Sequence, residues 1–129
     1  MPDPRALILA ELVAQGANDQ EADEWLRSGL RTWLRSGCSV GLQTVLRLPA
    51  TARAAARARR DFWVRTAAEA IGEGPCTWER ARRVLRAAAR LSAGLRTNEP
   101  AEVDAALLRA LDAGAPMPDT DQGIHRIIR

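Results

Sequence analysis

The sequence predicts an all-α, single-domain bundle of about five to seven helices spanning residues 1–129. Three observations carry that expectation. Ala is the commonest residue, Tyr is absent and Phe occurs once, so helix formers dominate and β-type residues are scarce. Gly and Pro fall at intervals that suit helix ends rather than hairpins. Nowhere do four or more residues alternate apolar and polar in the manner of a strand. A chain of 129 residues is also long enough to bury a single core.

The elements follow from the punctuation. Asp3 as N-cap, Pro4 at the first helical position and Gly16 just past the end bracket a first helix. Asn18 and Glu21 have the spacing of a capping box and open a second, which runs to Gly37. A short helical segment near Ser39–Leu48 stops at Pro49. Thr51 or its neighbours start a long Ala/Arg helix to about Ile71, and Gly72-Glu73-Gly74-Pro75 forms the clearest loop. Thr77 can cap a fifth helix to about Ala93. Asn98 precedes a sixth through Ala113, with Gly114 ending it. Residues 114–119 (GAPMPD) make a turn, and Ile124, Ile127 and Ile128 suggest a last short turn of helix.

Charge divides the chain more sharply than composition does. All nineteen basic residues are Arg. Residues 1–24 hold one Arg against six acids, a balance of −5; residues 25–96 hold fifteen against four, +11; residues 97–129 hold three against six, −3. Between Trp25 and Arg60 there are eight arginines and no acid. A concentrated cationic middle is the footprint of a surface that meets phosphate.

Helical spacing sorts these arginines into faces. In the second helix Trp25-Leu26-Arg27-Ser28-Gly29 recurs as Trp33-Leu34-Arg35-Ser36-Gly37, a repeat of eight that matches no solenoid period. At about 100° per residue, Trp25, Leu26, Gly29, Leu30, Trp33 and Leu34 cover an apolar half, with Arg27, Arg31 and Arg35 as a stripe beside it. The two tryptophans suit core packing and, alternatively, base stacking. In the fourth helix Arg53, Arg57 and Arg60 share a flank from which Arg59 points away, and Phe62 and Trp63 point about 100° apart, both read as packing residues. In the fifth, Ala81, Val84, Leu85, Ala88, Leu91 and Leu95 lie on one side and Arg82, Arg83, Arg86 and Arg90 on the other. Glu79 offers Arg83 an i,i+4 partner, whereas Arg82–Arg86 and Arg86–Arg90 are like-charge pairs. A face left uncompensated in this way suits an anionic partner: RNA first, single- or double-stranded DNA as alternatives, or the acidic surface of a protein.

Other chemistries lack their residues. One His, two isolated cysteines (Cys38, Cys76) and no G-x-S-x-G leave no nucleophile–base pair, no zinc site from local spacing and no disulfide framework. The expectation is a non-enzyme without metal or cofactor, in the cytoplasm with reduced thiols. Asp19, Glu21, Asp23 and Glu24 sit where acids favour a helix start rather than a metal. Gly72-Glu73-Gly74 lacks the Gly-Lys-Ser of a P-loop. Glu11 interrupts the first apolar run, so neither a signal peptide nor a membrane span is expected. Gly37-Cys38-Ser39 followed by Thr44-Val45 has the ingredients of a helix-turn-helix, with a spacing about two residues too long.

In size, helical content and arginine placement over residues 25–96, the chain resembles the small-subunit family of CRISPR–Cas effector complexes. That resemblance implies a non-catalytic subunit of an antiviral ribonucleoprotein, stacked in several copies beside crRNA-binding subunits. Its arginine sets (Arg27/Arg31/Arg35, Arg53/Arg57/Arg60 and Arg82/Arg83/Arg86/Arg90) would face guide RNA, target or displaced strand, and its acidic ends would approach a neighbour's basic middle. Two alternatives stand beside it: a phage or plasmid DNA-binding regulator, and an adaptor or inhibitor that binds an acidic protein.

Overall fold

The computed structural model describes residues 3–72 and 76–129. Among them are seven helices and no strand: α1 Pro4–Ala14, α2 Gln20–Arg35, α3 Leu42–Val45, α4 Ala52–Ile71, α5 Thr77–Ser92, α6 Ala101–Leu111 and α7 Asp121–Ile128. The fold class is all-α, as the sequence predicts. Of the loop predicted at residues 72–75, only Gly72 is described; the rest lies outside the described residues.

The helix ends are set by short-range chemistry. Asp3 accepts from the Arg5 N–H at 3.0 Å, and Pro4 follows it. Gly16, at φ 70°, lets its own N–H reach the Val13 carbonyl and that of Ala17 reach Leu12, which satisfies the last carbonyls of α1. The cap of α2 is Asp19, not Asn18: its carboxylate accepts from the Ala22 N–H at 2.8 Å. Likewise Thr77 is already helical in α5, and Cys76 stands at the N-cap without a side-chain bond. Thr120 caps α7 by accepting from the Gly123 N–H at 3.1 Å. The third helical segment is one turn of four residues rather than ten, ended by Arg47 at φ 57°.

The chain gathers into two compact units, 1–58 and 59–129, with α4 running through the boundary. In the first, α1 packs on α2 and α2 on α3. Ala6, Leu9, Ala22 and Leu46 are buried, and a Cβ at Gly29 would overlap Leu46 Cδ2. Gly29 therefore serves as a seat for Leu46, whereas Gly37, its counterpart in the eight-residue repeat, ends the helix at φ 66°. Identical segments thus serve different purposes.

In the second unit α5 is central, packed by α6 and α7. Val64, Val84, Val103, Leu107 and Ile124 are fully buried, filled in by small alanines such as Ala67, Ala81, Ala88 and Ala106. Trp63 packs against this cluster with Phe62 edge-on at 4.9 Å and the Arg109 guanidinium 4.6 Å above its ring. One residue from each predicted apolar face, of α2 and of α5, stays in solvent. Leu34 is 63% exposed and Leu95 52%. Leu34 ends the apolar arc of α2 at the border of the arginine stripe, and Leu95 lies three residues past the end of α5.

Candidate nucleic-acid interface

Helix α5 shows how an amphipathic sequence distributes its charges. At 100° per residue Arg82 and Arg83 lie at opposite edges of the solvent arc, and Arg86 lies between them. The edges are the positions that neighbouring helices can reach. On the α7 edge Arg82 Nε approaches Asp121 at 3.6 Å, and one turn earlier Trp78 stacks on His125 at 3.8 Å. These two rungs fix α5 and α7 as antiparallel neighbours.

On the other edge Arg83 forms a two-pronged pair with Glu99: Nε donates to Oε1 at 3.0 Å and a terminal nitrogen to Oε2 at 2.5 Å. Glu99 is itself held, because its N–H donates to the Thr97 hydroxyl at 3.2 Å and that hydroxyl bonds Asp104. The Glu99 hydrogen bond raises the pKa of Arg83, against an opposing effect of burial and with help from the charges of Glu99 and Glu79. The partner of Arg83 is thus Glu99, sixteen residues away, rather than Glu79 at i−4. Arg90, nearer this edge, donates from Nε to the Arg96 carbonyl at 2.6 Å. Arg86 is exposed and has no partner among the described residues. The like-charge run that the sequence predicts is therefore relieved at its edges and kept at its centre.

The remaining predicted residues divide the same way. On α2 Arg31 lies 3.7 Å from Glu24, while Arg27 and Arg35 are exposed and unpartnered among the described residues. On α4 Arg53 and Arg57 are exposed and likewise unpartnered, and Arg59 is half-buried. Arg60 leaves the predicted flank: its side chain is 14% exposed, bonded to Asp61 at 2.8–2.9 Å and to the Pro116 carbonyl at 2.6 Å. Arg27, Arg31, Arg35, Arg53 and Arg57 belong to the first unit; Arg59, Arg60, Arg82, Arg83, Arg86 and Arg90 belong to the second.

Sequence reasoning missed the loop side of the α5 face. Thr97 and Asn98 join Arg83, Arg86, Arg90 and Glu99 around one concavity, and only the course of the α5–α6 connection reveals them. Among the described residues no group of His, Cys, Asp and Glu could hold a metal ion, and no helix is long and apolar enough to cross a membrane. The exposed large apolar residues Leu34, Val40, Trp78, Leu95 and Leu108 are spread over different elements. No family model, curated protein or solved structure matches the chain.

Proposed function

We propose that this chain is a non-catalytic, arginine-rich nucleic-acid-binding accessory subunit of a ribonucleoprotein, similar to the CRISPR–Cas small subunits, that contacts guide RNA or a target strand. One observation carries the reading. After internal pairing is set aside, Arg27, Arg35, Arg53, Arg57 and Arg86 remain exposed on α2, α4 and α5 with no partner among the described residues. A helix surface kept only for solubility would mix its signs, because opposite charges at i,i+4 stabilise and like charges destabilise. Arginines that make no bond among the described residues suit phosphate, to which they offer a planar fork of donors. The proposed compartment is the cytoplasm, whose reducing chemistry suits the exposed, free Cys38 and Cys76.

The helix-turn-helix alternative is weaker, because α3 ends at Val45, where a recognition helix would have to be under way. Fluorescence anisotropy with random-sequence single-stranded RNA, single-stranded DNA and duplex DNA over a range of salt separates the readings. Three to five phosphate contacts predict a log–log salt slope of about −2 to −3.5 on a single strand, with little sequence preference. Absence of binding at low salt would sink the proposal in favour of an acidic protein partner. A strong preference for one duplex sequence would sink it in favour of a regulator.

A further inference from the structure

Beside the solvent face of α5, the α5–α6 connection encloses a concavity of about 280 Å³ lined by Arg83, Arg86, Arg90, Thr97, Asn98 and Glu99. This is just below the usual range of ligand pockets, with room for a single phosphate and part of its nucleoside. Its lining separates into groups already engaged and groups still open. Both Glu99 oxygens are taken by Arg83, so that carboxylate forms a neutralised wall rather than a repulsive one. The Thr97 hydroxyl is occupied by Asp104 and by the Glu99 N–H. What remains open, among the described residues, is the whole Arg86 guanidinium, the terminal nitrogens of Arg90 and the Asn98 amide.

Arg86 and Arg90 stand one helical turn apart, a spacing that brings side chains within about 5–6 Å at Cβ. Two cations held so close repel, and an oxyanion placed between them turns that repulsion into two charge-assisted bonds. The Arg96 carbonyl fixes Arg90 Nε beforehand, so less side-chain freedom is lost on binding. Among the open groups only Asn98 both donates and accepts, as contact with a sugar hydroxyl or a base edge requires.

We propose that this concavity binds one phosphodiester of a single-stranded nucleic acid, with Arg86 and Arg90 bridging the phosphate oxygens and Asn98 meeting the adjoining sugar or base. The inference rests on the nucleic-acid reading and narrows it to one place. Arg83 and Glu99 act as positioning residues that hold the loop wall.

The test uses two probes on the intact chain. In arginine- and amide-resolved NMR spectra, the dinucleotide UpU should move the Arg86 and Arg90 Nε–H signals together with the Asn98 side-chain amide. Inorganic phosphate at equal concentration should move the two arginines and leave Asn98 in place. A UpU titration that leaves Arg86 and Arg90 unmoved overturns the pocket, and a phosphate titration that also moves Asn98 overturns its assignment to a strand. With a random single-stranded oligonucleotide, R86Q/R90Q should bind about tenfold more weakly at low salt, with a slope shallower by about 0.7, the share of the one phosphate they bridge. Loss confined to R27Q/R35Q would overturn the pocket while the nucleic-acid reading stands. If the wild-type chain binds no strand at any salt, the broader reading fails and the pocket's assignment to a strand fails with it.

Discussion

Neighbouring arginines on α5 should respond in opposite directions to the same substitution. Arg83 is 30% exposed in its side chain and its partner Glu99 only 14%, with two bonds at 3.0 and 2.5 Å. A hydrogen bond to a charged group contributes about 1.5–3 kcal/mol. Discounted for solvent screening at this partly exposed site, Arg83→Gln should cost about 1–2 kcal/mol. In a chain of 129 residues each kcal/mol moves the melting temperature by about 4 °C, so Tm should fall by about 4–8 °C. Arg86→Gln removes no bond among the described residues and relieves two like-charge contacts at about 0.2–0.5 kcal/mol each. Its Tm should hold or rise by up to about 4 °C. Glutamine propagates a helix about as well as arginine, so propensity does not confuse the comparison. Thermal unfolding followed by circular dichroism at 222 nm measures both. The double variant R83Q/E99Q completes a cycle whose coupling should recover about 1–2 kcal/mol. An equal fall for Arg86→Gln and Arg83→Gln would refute the division into paired edge and unpaired centre, as would an Arg83→Gln variant with unchanged Tm.

Five further substitutions test the packing and the caps by denaturant unfolding. Gly123→Ala would place a Cβ 2.7 Å from Pro118 Cβ, on a ring that cannot rotate away, and should cost about 1–3 kcal/mol despite the better helix former. Asp19→Ala should cost about 1 kcal/mol through the lost bond to the Ala22 N–H, whereas Asn18→Ala should change stability by less than about 0.5 kcal/mol. Leu34→Ser should likewise stay within about 0.5 kcal/mol, while Leu107→Ala, in the middle of the second core, should cost about 2–5 kcal/mol.

Helix positions are legible in the sequence because helices end through local chemistry. Gly16, Gly37 and Gly114 take the positive φ that their places require, and no distant residue is needed to foresee it. Caps shift by one residue where two candidates adjoin, as at Asn18/Asp19 and Cys76/Thr77, because the entering chain direction decides which residue turns first. Leu34 shows a limit of the helical wheel: an apolar arc of half the circumference is wider than the partner helix covers, and its border residue stays in solvent. For the candidate site, the wheel gives the arc on which each arginine lies but not its partner. Glu99 reaches Arg83 through the fold of the α5–α6 connection, and the Pro116 carbonyl reaches Arg60 across 56 residues. Sequence spacing offers only i,i+3 and i,i+4 partners, so such pairs escape it.

The acidic ends of the chain then bear on whether the charge split is a folding device. Were they present to neutralise the basic middle, the densest repulsion, at Arg86 between Arg82 and Arg90, would be the first to acquire a carboxylate. Instead Asp121 goes to Arg82 at one edge of α5 and Glu99 to Arg83 at the other. In the first unit, too, Glu24 takes Arg31 and leaves Arg27 and Arg35, and Glu21 takes Arg5 of α1. Two of these pairs join neighbouring helices, Glu21 to Arg5 and Asp121 to Arg82, while Arg27, Arg35 and Arg86 gain no carboxylate among the described residues. Such an arrangement keeps the exposed guanidiniums at the cost of a few tenths of a kcal/mol per like pair, and leaves them oriented by a fixed scaffold. Selection for stability alone would remove that cost with single substitutions to Gln or Glu. A partner that brings its own negative charge removes it at the moment of binding, and phosphate does so with the geometry a guanidinium fork fits best.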